Sequence, residues 1–183
     1  MKILTLFIFV FFSCDIFAAS DSISILFYNV ENLFDTEDDT LKNDNEFLPT
    51  SKKKWTNSKW NDKTIKIAKI IAGNNYPEII GLCEVENRVV LEKIKNHYLF
   101  KNKKYAIIHF ESPDSRGIDC AILYQYERVD LLSMRANKVN LNGRKTRDIL
   151  SATFTHFKDT LTVFVNHWPS RYGGRVKSNS KRK

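Results

Sequence analysis

Cysteine is scarce in this chain, with three residues among 183. Cys14 lies in the N-terminal apolar stretch, so the remainder keeps only Cys83 and Cys120. Two cysteines cannot build the multi-bridge framework of a small disulfide-rich domain. Both sit in apolar, strand-like runs, IIGLCEV and IDCAILY, where a small buried core residue is the expected role. A pairing between them depends on geometry that spacing does not give. No His/Asn setting accompanies either one, which argues against a thiolate nucleophile. Long apolar runs are also missing. The longest, Ile3 to Phe12, is too short to cross a bilayer comfortably. Internal repeats and low-complexity segments are absent as well, and at 43% hydrophobic and 13% aromatic the chain is too apolar to stay disordered. One globular domain is the expectation.

The first twenty residues, MKILTLFIFVFFSCDIFAAS, place one lysine before the apolar run and small residues after it. That order is the layout of a secretory signal, expected over 1–20 with cleavage near Ala18 to Ser20 and a secreted or periplasmic product. A second reading makes Cys14 a lipidated N-terminus; bulky Phe11 and Phe12 just before it disfavour that anchor. No membrane span is expected. The net charge of +8 is unevenly spread. From Arg171 to Lys183 there are six basic residues and no acidic one, which leaves +2 for the rest of the chain. Residues 175–183 therefore read as a basic tail, solvated or in contact with polyanions.

Past the leader, SISILFYNV reads as a buried strand ending near Asn29, followed by an exposed connection over 35–54. Trp60, Thr64, Ile67, Ala68 and Ile71 share one helix face that ends at Gly73. EIIGLCE over 78–84 is an apolar strand closed by a carboxylate, and 89–99 returns to helical spacing. The second half changes rhythm. Strands are predicted at 105–110, 118–125, 128–133, 149–157 and 160–166, with turns at SPDSRG, NLNG and Lys158-Asp159. Strand, helix, strand, helix and then a run of strands predict an α/β fold with mixed sheets.

Polar residues at strand ends are the first sign of chemistry: Asn29, Glu84 and the Asn166-His167 pair. A carboxylate at a strand end can leave the core and meet a hard cation, which prefers oxygen ligands. Without further context Glu84 could equally be a surface carboxylate, and Glu86 a supporting or solvated one. His167 precedes Trp168-Pro169-Ser170-Arg171, so a hydrogen-bond donor, an aromatic wall and a guanidinium gather where Pro169 must stop the strand. Arg147-Asp148 and Arg116-Gly117 open two other strands, as turn residues or as surface ion pairs. Trp55, Trp60 and Trp168 could stack on bases or simply pack.

The strings ILFYNVENLFD, PEIIGLCEVEN, SRGIDCAILY, TRDIL and VFVNHWPSRYGG span residues 25 to 174, and in this order they resemble the motifs of the endonuclease/exonuclease/phosphatase superfamily, closest to its secreted bacterial endonuclease-like branch. The Asn-His-Trp-Pro-Ser-Arg string is the most specific of them. The resemblance implies a two-sheet α/β sandwich with flanking helices over 21–174, and hydrolysis of a phosphodiester assisted by Mg²⁺ or Mn²⁺. It also assigns roles. Asn29 would arrange the metal and phosphate end of the pocket, and Glu84 would be the carboxylate ligand of the ion. His167 would contact a phosphate oxygen, with Asn166, Arg171 and Arg147 supporting the anionic substrate. The family's downstream Gly-Asp-x-Asn motif and final Asp-His pair are not found after Gly174, so the expectation is a fold incomplete at its C-terminus. Three outcomes follow: a truncated phosphodiesterase, a phosphate-binding pseudoenzyme, or an unrelated basic binding module. Phosphatases and phospholipid-type phosphodiesterases share the superfamily core; the nuclease-like branch and the positive charge favour nucleic acid as substrate.

Overall fold

A computed structural model of the chain describes residues 22–141, 145–169 and 174. The leader with Cys14, Arg171 and the 175–183 tail lie outside the described residues. The chain forms β1 (Ile25–Leu33), α1 (Asn57–Gly73), β2 (Ile79–Val85), α2 (Arg88–Lys95), β3 (Tyr105–His109), β4 (Asp119–Gln125), β5 (Asp130–Asn137), β6 (Ile149–His156) and β7 (Asp159–Val165), with short 3₁₀ turns at Asn45–Phe47 and Tyr98–Phe100. No helix among the described residues is long and apolar enough to cross a membrane.

Two sheets result. The first has the order β1-β2-β4-β3, with β1 and β2 parallel and the other pairs antiparallel; the second is the antiparallel meander β5-β6-β7. This is the expected α/β two-sheet sandwich. The helices cover one face of the first sheet, and the second sheet covers the other. Alternation along β2 sets the layers apart. Ile80 and Leu82 join Ile67, Ile71, Leu91 and Ile94 in a core against the helices, whereas Ile79 and Cys83 face Phe154 and Val165 between the sheets. Burial on both faces is why IIGLC reads as a continuous apolar run. Gly81 permits the sheets to approach, because a Cβ there would stand 2.8 Å from a methyl of Val165.

Four expectations need correction. β1 runs past its predicted end near Asn29 to Leu33, and the helical spacing of 89–99 divides into α2, which stops at Lys95, and the 3₁₀ turn at Tyr98–Phe100. The fifth strand runs to Asn137, four residues beyond its predicted end; residues 132–135 are all exposed, Leu132 and Met134 included, so no buried face marks its continuation. The 35–54 segment is not merely an exposed connection. Asp35 and Asp44 are buried within it, and Phe47 stacks on Phe34 with centroids 4.0 Å apart and meets Trp55 edge-on.

Candidate active site

Parallel strands β1 and β2 lose their register at the same level, between Asn29 and Leu33 on one and between Cys83 and Val85 on the other. Glu31, Asn32 and Glu84 there adopt positive φ of 57°, 64° and 64°. Left-handed backbone is costly for non-glycine residues, and a bulge is a device for re-aiming a side chain. The register shows what is re-aimed. Strict alternation after Leu82 and Cys83 would send Glu84 into the helix-side core, but Val85 occupies that place and is fully buried. The Glu84 carboxylate instead emerges at the sheet end.

There it meets the two other residues that the resemblance singles out. Asn29 donates from Nδ2 to Glu84 Oε1 at 3.2 Å, and Nε2 of His167 lies 3.2 Å from the same oxygen. Asn29 is itself fixed, since its Oδ1 accepts the Glu31 amide at 2.9 Å. Hydrogen bonding from His167 holds the Glu84 carboxyl at about 2, with help from Asn29 and the Asn32 amide and against the upward pull of burial. Glu84 is thus an anion at any physiological pH. Nδ1 of His167 is buried and has no hydrogen-bond partner among the described residues.

Arg147 is buried, and it does not point free into solvent. Its Nη1 donates to Asp114 Oδ2 and its Nη2 to the main-chain oxygen of His167, both at 2.9 Å. Asp114 also accepts the Arg116 amide at 3.0 Å, so the SPDSRG turn braces the histidine strand. Asn166 turns its main-chain oxygen toward the Cys83 thiol at 3.6 Å and lines a narrow cleft with Arg147 and Trp168. On the other side, Asn32, Asn43, Lys53 and Arg116 line a concavity of about 320 Å³ with Phe34 and Phe47.

The sequence did not expose every participant. Asp114 looked like an ordinary turn residue, and only its distance from Arg147 reveals its role. Glu86, expected to support the site or to be solvated, is buried and accepts the Asp35 amide at 2.7 Å. Burial, reinforced by Asp35, Asp44 and Asp39, pushes its carboxyl up to about 8. Asn87 caps α2 through the Val90 amide and donates to Asp35 Oδ2 at 2.9 Å. Trp55 and Trp60 pack, Trp55 donating to the Phe34 oxygen and Trp60 lying under Lys93, while Trp168 stays 46% exposed.

A divalent ion fits the Glu84 end of the sheet. Magnesium sites commonly take one or two carboxylates and leave the other positions to water and phosphate oxygens. Glu84 supplies the ionised carboxylate, Asn29 steadies it through Nδ2 while its own Oδ1 accepts the Glu31 amide, and the unpartnered His167 Nδ1 is a polar atom for a ligand of the ion. A second group capable of holding a cation, His109, Glu111 and Asp119, keeps its ligand atoms within 4.8 Å of one another at the neighbouring ends of β3 and β4. Its members are occupied with each other, His109 Nε2 lying 3.2 Å from Asp119 Oδ2.

Comparisons with known proteins agree with the fold. Residues 24–183 match the model of the endonuclease/exonuclease/phosphatase family. Among solved structures, a humanised TDP2 of D. rerio superposes with a TM-score of 0.57 at 18% identity, covering 88% of this chain and 52% of that one. D. rerio TDP2 complexed with a single-strand DNA product gives 0.54 at 19% identity, with 82% and 48% covered. ANGEL2, a 2′,3′-cyclic phosphatase bound to adenosine-2′,3′-vanadate, gives 0.54 at 17% identity, with 80% and 41% covered. Identities this low establish the fold alone, and the chain spans about half the length of these structures. No curated protein matches the sequence.

Proposed function

The chain belongs to the endonuclease/exonuclease/phosphatase family, and from the arrangement of Asn29, Glu84 and His167 we propose that it is a divalent-metal-dependent phosphodiester hydrolase acting on nucleic acid outside the cytoplasm. The carrying observation is the bulged, left-handed Glu84, whose anionic carboxylate is aimed at the sheet end with His167 and Asn29 each 3.2 Å away. Backbone strain at a buried strand end persists where the surrounding structure holds it, and such positions concentrate at functional sites.

Glu84 would hold Mg²⁺ or Mn²⁺, and Asn29 would orient its carboxylate. When bound, the ion neutralises charge on the phosphoryl oxygens and lowers the pKa of coordinated water. His167 faces the same space. Its Nε2 is held against Glu84, which leaves Nδ1, without a partner among the described residues, as the ring atom to meet a phosphate oxygen. Arg147 fixes the His167 main chain in place, and Arg171 supplies a further cation four residues on. Lys53 and Arg116 line the adjacent concavity together with Glu46, each already paired, Lys53 with Glu46 at 2.6 Å and Arg116 with Asp114 at 3.4 Å. The single-strand DNA product in one structural neighbour supports nucleic acid as substrate, as does the basic 175–183 tail. The leader-like 1–20 segment supports export.

The test is cleavage of a labelled single-stranded oligonucleotide by the full chain with Mg²⁺, with Mn²⁺ and with EDTA. Metal-dependent cleavage that is lost in Glu84→Gln and in His167→Ala is expected. Binding without turnover would move the chain to the ligand-binding class; cleavage unaffected by either substitution would refute the site.

A further inference from the structure

Cys83 and Cys120 are partners in the β2–β4 ladder, opposite one another in antiparallel register. Both are buried free thiols with their sulfurs 3.7 Å apart. Directly opposed antiparallel residues hold their Cα atoms at roughly 4.5 to 5.5 Å, inside the range a disulfide needs. Each side chain faces the space between the sheets, so the two Cβ vectors point the same way. The Cys83 thiol also donates to the main-chain oxygen of Asn166. The pair therefore touches both strand ends of the site, through the residue before Glu84 and the residue before His167.

We propose that Cys83 and Cys120 form a redox-active dithiol that closes to an intrachain cross-strand disulfide and thereby changes how the His167 strand end is held. In the closing reaction each thiol gives up its hydrogen and one sulfur–sulfur bond forms. Two electrons and two protons pass to an external disulfide such as oxidised glutathione, which leaves as two thiols by way of a mixed disulfide. Closure withdraws the only hydrogen Cys83 can offer the Asn166 carbonyl. The catalytic consequence rests on the phosphodiesterase reading; the cross-link itself does not.

The experiment uses the full chain carrying Cys14→Ser, so that only the two core thiols remain. Reduced, denatured protein is refolded in glutathione buffers from fully reduced to fully oxidised, which removes burial as a barrier to reagent. Free thiols are then counted after acid quench and denaturation, and the cross-linked peptide is mapped by mass spectrometry. The expected result is two thiols in the reduced buffer and none in the oxidised one, with Cys83 joined to Cys120 in a monomer. Two titratable thiols in both, or mixed disulfides with glutathione in place of the cross-link, would overturn the proposal. Where the chain hydrolyses phosphodiesters, the oxidised form should turn over roughly two- to twelvefold more slowly, the range a single hydrogen bond is worth. Dithiothreitol should restore the rate, and Cys120→Ser should be indifferent to the buffer. A cross-link that forms without changing the rate would refute the coupling to His167, and a chain with no hydrolysis at all would leave the thiol count to decide the cross-link alone.

Discussion

Arg147 Nη2 donates to the main-chain oxygen of His167 at 2.9 Å while Nη1 of the same guanidinium is held by Asp114. One buried cation thus ties the histidine strand end to the turn before β4. Removing one member of a buried pair strands the other, at a cost of about 3–5 kcal/mol. Arg147→Ala should lose about that much in urea unfolding. Arg147→Lys should not recover it, since an ammonium cannot reproduce two directed donors. A loss below about 1 kcal/mol would mean the pair is solvated.

Glu86 carries a pH signature. Its folded value is raised to about 8 from the usual 4.5, chiefly by burial. Between those values the folded state binds a proton that the unfolded state has released. Stability is therefore complete below about pH 4.5 and falls as pH rises through 8. Glu86→Gln keeps an acceptor for the Asp35 amide and abolishes the titration. Its melting temperature should exceed that of the natural protein above pH 8, with the advantage shrinking toward pH 5. Parallel curves for the two proteins would exclude Glu86 as the source.

At Glu84 folding and function should separate. Glycine takes φ of 64° without a Cβ penalty, so Glu84→Gly should unfold at an equal or higher denaturant concentration while metal-dependent hydrolysis disappears. Thermal melts together with the oligonucleotide assay check both halves.

Gly81→Ala tests the sheet-to-sheet contact. The new methyl would meet Val165 at 2.8 Å, and overpacking of this kind costs about 1–3 kcal/mol. The double variant with Val165→Ala should recover part of that loss.

Periodicity carried most of the fold. The continuous apolar run of β2 and the spaced apolar face of α1 are direct images of two-sided and one-sided burial, so both elements were legible. The far end of β5 was not, because Met134 and Arg135 are both exposed and the short alternation there marks no buried face. At the site, Asn29, Glu84 and His167 stood out through their positions at strand ends. What stayed hidden was how they come together. The paired bulges that turn Glu84 out of the core use Glu31, Asn32 and Glu84 itself in left-handed backbone, with no glycine to betray them. The CEVEN string also divides its labour invisibly. Glu84 is aimed at the site, whereas Glu86 and Asn87 fasten Asp35 in the loop after β1. Asp114 acts across 33 residues on Arg147, a contact that only tertiary structure makes.

The central claim is that the carboxylate re-aimed by the β2 bulge holds a divalent ion. Mn²⁺ binding to the full chain, followed by loss of the free-ion electron paramagnetic resonance signal, tests it without requiring turnover. The account predicts a saturable site that Glu84→Gln weakens at least about tenfold, and that substitution of Glu111 leaves in place. Equal affinity in the natural protein and Glu84→Gln, or a site lost with Glu111 instead, would contradict it.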